Sequence, residues 1–421
     1  MIRHNPKAAP GATAMDIIFA FALLPSIIRA QNDSSSLRSI YDGLSPELDP
    51  PDYIIHDPSK IITLGGKQLI AVTGKAPGDG YDCGLETWWR PVDGGQAWQP
   101  GQCLFRSKPS WVAEESPEND GAYWAPELDL KDGVLTLIYS VAEWESATPN
   151  TCVGVARAVG NIEDDFPIQL KFEDQGHALT CINGADYSEE RSAIDPSVFW
   201  GFGAQQGRLY LVTGGGYIIG TELDPITYDQ IDGVWFDADG SDWSQLARGP
   251  IEENQQHEWV EAPYVHPNPE TGYYYLFVNW YACCRGVDST YEIAVGRSRD
   301  PMGPYVDENG KDLLDGGGTV FLDAGEGDEA YIIGPGHTGF WRDDEGNDIF
   351  TFHYYDGNRE GNSWIGEKRV VWNQEGWPVV DDGVSLNDGF PYIGNNIDSS
   401  SVPGYPCGLT ILMLSLIVAW I

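Results

Sequence analysis

A polar residue, a short extended run, a turn and then a second aromatic or aliphatic run recur five times along this chain. The units are Asp57-Pro58 with Gly65-Gly66 and residues 68–72; Trp124-Ala125-Pro126-Glu127 with Asp132-Gly133 and 135–139; Asp195-Pro196 with Gln206-Gly207 and 209–212; Glu261-Ala262-Pro263 with Thr271-Gly272 and 273–277; and His337 with Glu345-Gly346 and 349–352. From Asp57 to Glu127 is 70 residues, to Asp195 another 68, to Glu261 another 66, and to His337 another 76. Short runs bounded by Gly, Asp and Asn read as antiparallel strands, and no long amphipathic helix interrupts them. A period near 70 has room for a four-stranded blade with generous loops. Five such units set radially give an all-β, five-bladed β-propeller. The same geometry places Asp57, Glu127, Asp195, Glu261 and His337 at or near one end of the channel. A β-sandwich would show similar strands but no polar residues in phase.

With 42% hydrophobic residues the 421-residue chain can bury a sizeable core, which excludes an acidic disordered tail as the main reading. Its 64 acidic against 24 basic residues, a net charge of −40, predict no nucleic-acid partner, because a phosphate backbone would be repelled. Residues 1–30 read as a signal peptide: Arg3, His4 and Lys7 precede an apolar stretch from Ile17 to Ile28, and Ala30 is a small residue before polar sequence. An uncleaved signal anchor is the alternative. A leader follows at 31–52, then the propeller at 53–394 and a linker at 395–408. The apolar tail 409–421, after a small-residue stretch with no charge beyond Asp398, fits a GPI-attachment signal. A tail-anchored helix and an ordinary secreted enzyme are the rivals. The protein is expected outside the cell, as a monomer, with possible membrane attachment through a C-terminal lipid anchor. Seven cysteines in an exported chain suggest oxidised pairs, Cys83 with Cys103 and Cys152 with Cys181 by proximity; the vicinal Cys283 and Cys284 could bridge only with a strained geometry.

Carboxylates that converge raise one another's pKa, and burial raises them further, so an in-phase acidic set is a candidate acid/base site. Alone, Asp57-Pro58 or Asp195-Pro196 would read as a turn. In register with Glu261 they suit glycoside hydrolysis, which needs one protonated and one ionised carboxyl across the scissile bond.

The stretches Ile55-His56-Asp57-Pro58-Ser59, Ser192-Ala193-Ile194-Asp195-Pro196, Val260-Glu261-Ala262-Pro263-Tyr264 and Gly334-Pro335-Gly336-His337 resemble glycoside hydrolase family 43, most closely its arabinanases. Tyr123-Trp124-Ala125-Pro126-Glu127 and Cys283-Cys284-Arg285-Gly286 with Ser289-Thr290-Tyr291 add to the resemblance, which runs in family order from about Tyr53 to Gly394. It implies an inverting hydrolase in which Asp57 is the general base, Glu261 the general acid, and Asp195 the residue that tunes and orients the acid. Inversion calls for Asp57 and Glu261 carboxyls roughly 6.5–9.5 Å apart, leaving room for water. The resemblance also implies calcium, largely hydrated, near His337 as the metal-associated residue; a histidine hydrogen-bonded near the carboxylates is the alternative there. Trp124 is the expected sugar platform, with Ser192, Tyr217 and His56 as further substrate-binding candidates. Glu127 is expected to anchor a loop or a sugar hydroxyl.

Three departures bear on subsites: Ser192 stands where Asn is usual, Gly214-Gly215-Gly216-Tyr217 replaces an aromatic-rich turn, and Thr338-Gly339 replaces Asn-Ser. The leading expectation is an α-1,5-L-arabinan hydrolase with endo action, acting on plant cell-wall arabinan. The alternatives are an exo-acting α-L-arabinofuranosidase or β-xylosidase, and a non-catalytic carbohydrate-binding propeller.

Overall fold

The computed structural model describes residues 55–385, apart from 75–82, 93–97, 106–107, 120–122, 144–149, 163–169, 183–191, 232–242 and 252–255. The predicted signal segment, leader, linker and apolar tail, with Cys407, lie outside the described residues. Blade 1 consists of β1 (Ile62–Leu64), β2 (Lys67–Thr73), β3 (Leu85–Pro91) and β4 (Gln99–Cys103). Blade 2 follows as β5 (Tyr123–Lys131), β6 (Val134–Ala142), β7 (Thr151–Val159) and β8 (Lys171–Ile182), and blade 3 as β9 (Ser197–Trp200), β10 (Leu209–Thr213), β11 (Tyr217–Leu223) and β12 (Ser244–Arg248). Blade 4 is β13 (Val260–Asn268), β14 (Tyr273–Trp280), β15 (Glu292–Ser298) and β16 (Thr319–Leu322); blade 5 is β17 (Ile332–Arg342), β18 (Asp348–Asp356), β19 (Asn362–Trp372) and β20 (Pro378–Ser385). Each blade is an antiparallel sheet of consecutive strands, and the five form the ring of a β-propeller.

The turns flagged in the sequence make the hairpins. Leu64 pairs with Lys67 across Gly65-Gly66, and Lys131 with Val134 across Asp132-Gly133. Both residues of each turn have positive φ, which matches the twist of two-residue hairpins. The apolar runs lack alternation because the second strands are buried on both faces. In β10, Leu209 and Leu211 pack with Val153, Val155 and Val198, while Tyr210 and Val212 pack with Val265, Tyr274 and Leu276. Alternate side chains of one strand therefore feed two inter-blade cores. Cys83–Cys103 and Cys152–Cys181 are bonded, as their spacing suggested, and so is the vicinal pair Cys283–Cys284.

Inside the ring, Lys60 ties three blades together. Its ammonium lies 2.6 Å from Glu127 Oε1 and 3.5 Å from Asp129 Oδ1, and donates to the Val198 carbonyl at 3.2 Å. Burial opposes its charge, but the two carboxylates outweigh it and hold the pKa above the ordinary lysine range. This corrects the expectation that Glu127 belongs with the converging polar set: Glu127 is bonded to Lys60 instead, and burial raises its own pKa despite that partner.

Among the described residues no blade combines strands from the two ends of the chain, and the seam between blades 5 and 1 rests on specific contacts. Arg90 donates to both oxygens of Glu367, at 2.5 and 2.8 Å, and to Gln68 Oε1 at 2.6 Å. Its guanidinium also lies over Trp98, and both charged side chains are buried. The Ile55 amide adds a bond to the Ser363 carbonyl. Glu367→Ala leaves the Arg90 charge buried without its partner and is expected to cost about 3–5 kcal/mol of stability, whereas Arg90→Met with Glu367→Leu should cost far less. Denaturant midpoints of the two variants check this.

Candidate active site

The first strand of every blade, or the segment leading into it, bears one non-glycine residue in the left-handed region. These are Asp57 (φ 46°), Ala125 (44°), Asp195 (53°), Ala262 (50°) and His337 (58°). In four of the five the next residue is proline, so the repeated x-Pro dipeptides are a backbone device. Trp124 pairs with Ser140 and Glu127 with Ile138, leaving Ala125-Pro126 opposite one residue. Glu261 pairs with Asn279 and Tyr264 with Phe277, and Gly336 with His353 and Gly339 with Thr351. Each is a β-bulge, which bends the strand and re-aims its side chains.

A left-handed residue with a β-carbon costs about 1–2 kcal/mol, and each bulge here is compensated by the same kind of bond. The Ala125 amide donates to Thr73 Oγ1 (2.9 Å), Asp195 to Ser140 Oγ (2.8 Å), His337 to Asn279 Oδ1 (3.0 Å) and Asp57 to His353 Nδ1 (3.2 Å). In each case the acceptor sits near the end of the second strand of the preceding blade. In blade 3 the equivalent Thr213 hydroxyl turns to the Ile194 carbonyl, and the Ala262 amide goes to Asp195 Oδ2 at 3.0 Å. Asp195 thus holds the residue next to Glu261.

Asp57, Asp195 and Glu261 are brought close enough that their charges act on one another. Asp57 Oδ2 accepts from Thr73 Oγ1 at 2.8 Å and faces His56 Nδ1 at 2.9 Å. Its Oδ1 faces only the Nδ1 atoms of His353 and His337, at 3.4 and 3.5 Å. Burial alone would push the Asp57 carboxyl up. His56, by charge and hydrogen bond, outweighs it with smaller help from His337 and His353, and holds the group well below the usual carboxylate range. Burial pushes Glu261 up to about 7; the Trp259 bond opposes this and the Asp57 charge adds to it. Burial, then the charges of Glu261 and Asp57, push Asp195 well above its ordinary value. The site therefore favours negative charge on Asp57 and the protonated form of the other two.

Glu261 is gripped by Trp259, which the sequence did not single out, and by Tyr291, which it named only within a family-like block. Trp259 Nε1 donates to Oε2 at 2.6 Å, and the buried Tyr291 hydroxyl bonds Oε1. Because the indole can only donate whereas the phenol can also accept, Oε1 is the oxygen better placed to carry the proton of a neutral Glu261.

The other candidates are placed unevenly. His56 is in the site, against Asp57. Trp124 is half-buried at the blade 2 bulge. Ser192 is buried and turned towards Gly215, with which it forms a β-bridge. Tyr217 begins β11 with the Arg248 guanidinium 4.2 Å from its ring centre. His337 faces Asp57, and burial lowers its pKa despite that carboxylate. His56, Asp57 and His353 could hold a metal ion, each offering one ligand atom, all within 4.8 Å of one another. The set supplies one oxygen and two nitrogens, and His353 Nδ1 already accepts the Asp57 amide, so it does not fit a directly bound calcium, which takes six to eight oxygens.

The profile of Glycosyl hydrolases family 43 matches residues 96–378. An extracellular exo-α-(1→5)-L-arabinofuranosidase of Cellvibrio japonicus is 28% identical over 293 residues, 68% of this chain and 77% of its own. An extracellular endo-α-(1→5)-L-arabinanase of Bacillus subtilis is 30% identical over 281 residues, 67% of this chain and 76% of its own. Among solved structures, an exo-1,5-α-L-arabinanase from a bovine ruminal metagenomic library superposes with a TM-score of 0.64 at 27% identity, over 80% of this chain and 99% of that one.

Gly336 packs beneath the Tyr291 ring. A β-carbon there would lie 2.3 Å from Tyr291 Cδ2 and 2.7 Å from Asn279 Nδ2. Gly336→Ala is expected to displace Tyr291 from Glu261, lowering turnover by about 10- to 100-fold while stability falls by only about 1–3 kcal/mol. Initial rates beside an unfolding curve test the pair of outcomes.

Proposed function

This chain belongs to glycosyl hydrolases family 43 and is a glycoside hydrolase built on a five-bladed β-propeller, and from that premise we propose that it is a secreted, endo-acting hydrolase of α-1,5-L-arabinofuranosyl linkages in arabinan that inverts configuration. The observation that carries the mechanism is the division of protons: Asp57 is held ionised while Glu261 keeps its proton up to about pH 7. In this reading Asp57 is the general base. Its Oδ2 is filled by Thr73 and His56, so Oδ1 takes a proton from the water that attacks the anomeric carbon. Glu261 is the general acid and passes its proton from Oε1 to the departing sugar oxygen. Asp195 orients the acid by accepting the Ala262 amide. Inversion sets the base and acid carboxyls roughly 6.5–9.5 Å apart, with the water between.

Trp124 and Tyr217 would offer faces on which furanose rings pack, with His56 and Ser192 nearby in the cleft. No step passes through a metal; calcium near His337 would have to be held through water. Support for the polymer comes from the names of relatives, one exo-acting and one endo-acting. The exo-acting reading is therefore the second one, and product lengths from linear arabinan decide between them. Support for secretion is the basic, apolar leader, the three disulfides and the extracellular designation of both relatives. A lipid anchor on the C-terminal segment belongs to the same proposal, and release by phosphatidylinositol-specific phospholipase would reveal it.

Two outcomes test the acid. Glu261→Ala should reduce hydrolysis of linear arabinan by about 10²–10⁴-fold while binding stays measurable; unchanged turnover removes Glu261 from the mechanism. Since the reaction needs protonated Glu261, kcat should fall as pH rises through about 7. Trp259→Phe removes a bond that favours the carboxylate, so the acid keeps its proton longer. The falling limb should then move up by about one unit, as a pH–rate profile would record.

A further inference from the structure

The vicinal disulfide Cys283–Cys284 sits in the loop between β14 and β15, and the function proposed above gives it no part. We propose that this disulfide-braced loop is a positioning device that sets the base and the acid relative to each other, through Cys284 on one side and Tyr291 on the other. The inference rests on Asp57 and Glu261 having the roles proposed above.

The base side is a chain of three bonds. The Cys284 amide donates to Tyr355 Oη at 2.7 Å, Tyr355 Oη lies 2.8 Å from His56 Nε2, and His56 Nδ1 lies 2.9 Å from Asp57 Oδ2. An amide can only donate, so Tyr355 Oη accepts from Cys284. With its Nε2 held at that hydroxyl, His56 presents Nδ1 to Asp57. The His56 ring is further held by stacking on His353, with ring centres 4.1 Å apart, and His353 in turn accepts the Asp57 amide. Tyr355 is buried and packs edge-on against the same His353 ring. The acid side is a single bond, from Tyr291 at the far end of the loop to Glu261.

The disulfide explains how an exposed loop can be exact enough for this. Cys284 has φ 67°, a conformation that costs any residue with a β-carbon. A bond between adjacent side chains closes a small ring over the intervening peptide and keeps the amide aimed at Tyr355. The rest of the loop is tied by the Thr290 amide to the Ala282 carbonyl and by the Arg285 amide to Ser289 Oγ.

Tyr355→Phe and Cys283→Ser with Cys284→Ser, assayed on linear 1,5-α-arabinan, should each lower kcat by about 10- to 100-fold with KM within about threefold. Combining the two should add little, because both act through one path. Cys283→Ser with Cys284→Gly should recover much of the loss, since glycine adopts a positive φ freely. A raised KM at unchanged kcat in the serine double variant would mean that the sulfurs touch sugar, and would overturn the proposal. So would wild-type turnover in Tyr355→Phe, which decides the matter alone if the cysteine variants do not fold. Asp57→Ala is measured in parallel. If it retains activity, the assignment of the base has failed; if it is inactive while Tyr355→Phe and the serine double variant turn over normally, only the positioning role has.

Discussion

The hydrogen bond from a left-handed bulge residue to a side chain of a neighbouring blade is the interaction on which the rest of this structure depends. Four of the five bulge amides are taken by Thr73, Ser140, Asn279 and His353, and the fifth by the carboxylate of Asp195. A bulge alone would be a destabilising kink with an unsatisfied amide near the channel. Bonded across the blade boundary, it becomes a contact that orders two blades and turns side chains towards the axis. The site is therefore not added to the propeller. It is made of the same bonds that set one blade against the next.

Electrostatics then select which of the converging groups carries charge. Three carboxyls in a buried space cannot all ionise, and the histidines are distributed unevenly among them. His56 bonds Asp57, and the other two imidazoles also face Asp57, whereas Glu261 is bonded by an indole and a phenol, and Asp195 by an amide. Neutral donors soften the burial penalty of a carboxylate less than a cationic imidazole does. The result is one anion and two acids, the asymmetry that paired acid and base catalysis requires.

Much of this was legible in the chain, and the parts that were not have physical reasons. The five-fold period, the hairpin turns and the two spaced disulfides could be read because each depends on local residue chemistry. Asp57, Asp195 and Glu261 stood out through their place in the repeat. Glu127 was misplaced because the repeat was phased on acidic residues, while the backbone is phased on the left-handed residue: that is Ala125 in blade 2 and Ala262 in blade 4. Thr73, Ser140, Thr213, Asn279 and His353 were passed over, although each is a polar residue near the end of an apolar second run and the series was visible. Tyr291, Trp259 and Tyr355 carry no such signal. Their importance arises from contacts between segments that no local pattern links.

The seam ties fold and chemistry together more tightly than the blade count suggests. Among the described residues, Asp57, the proposed base, belongs with blade 1, but its amide acceptor His353 and the tyrosine that bonds His56 both come from blade 5. Glu261, the proposed acid, by contrast, takes Trp259, Tyr291 and Asp195 from blades 3 and 4 and the segments beside them. An open ring could thus assemble the surroundings of Glu261 while leaving Asp57 without His337 and His353, and His56 without Tyr355. Closure through Arg90 and Glu367 is then a condition for completing the surroundings of Asp57, the proposed base. A buried ion pair, which often contributes little net stability, has a reason to be there: its directional, two-pronged geometry fixes how blade 5 meets blade 1, and the base is assembled along that same boundary.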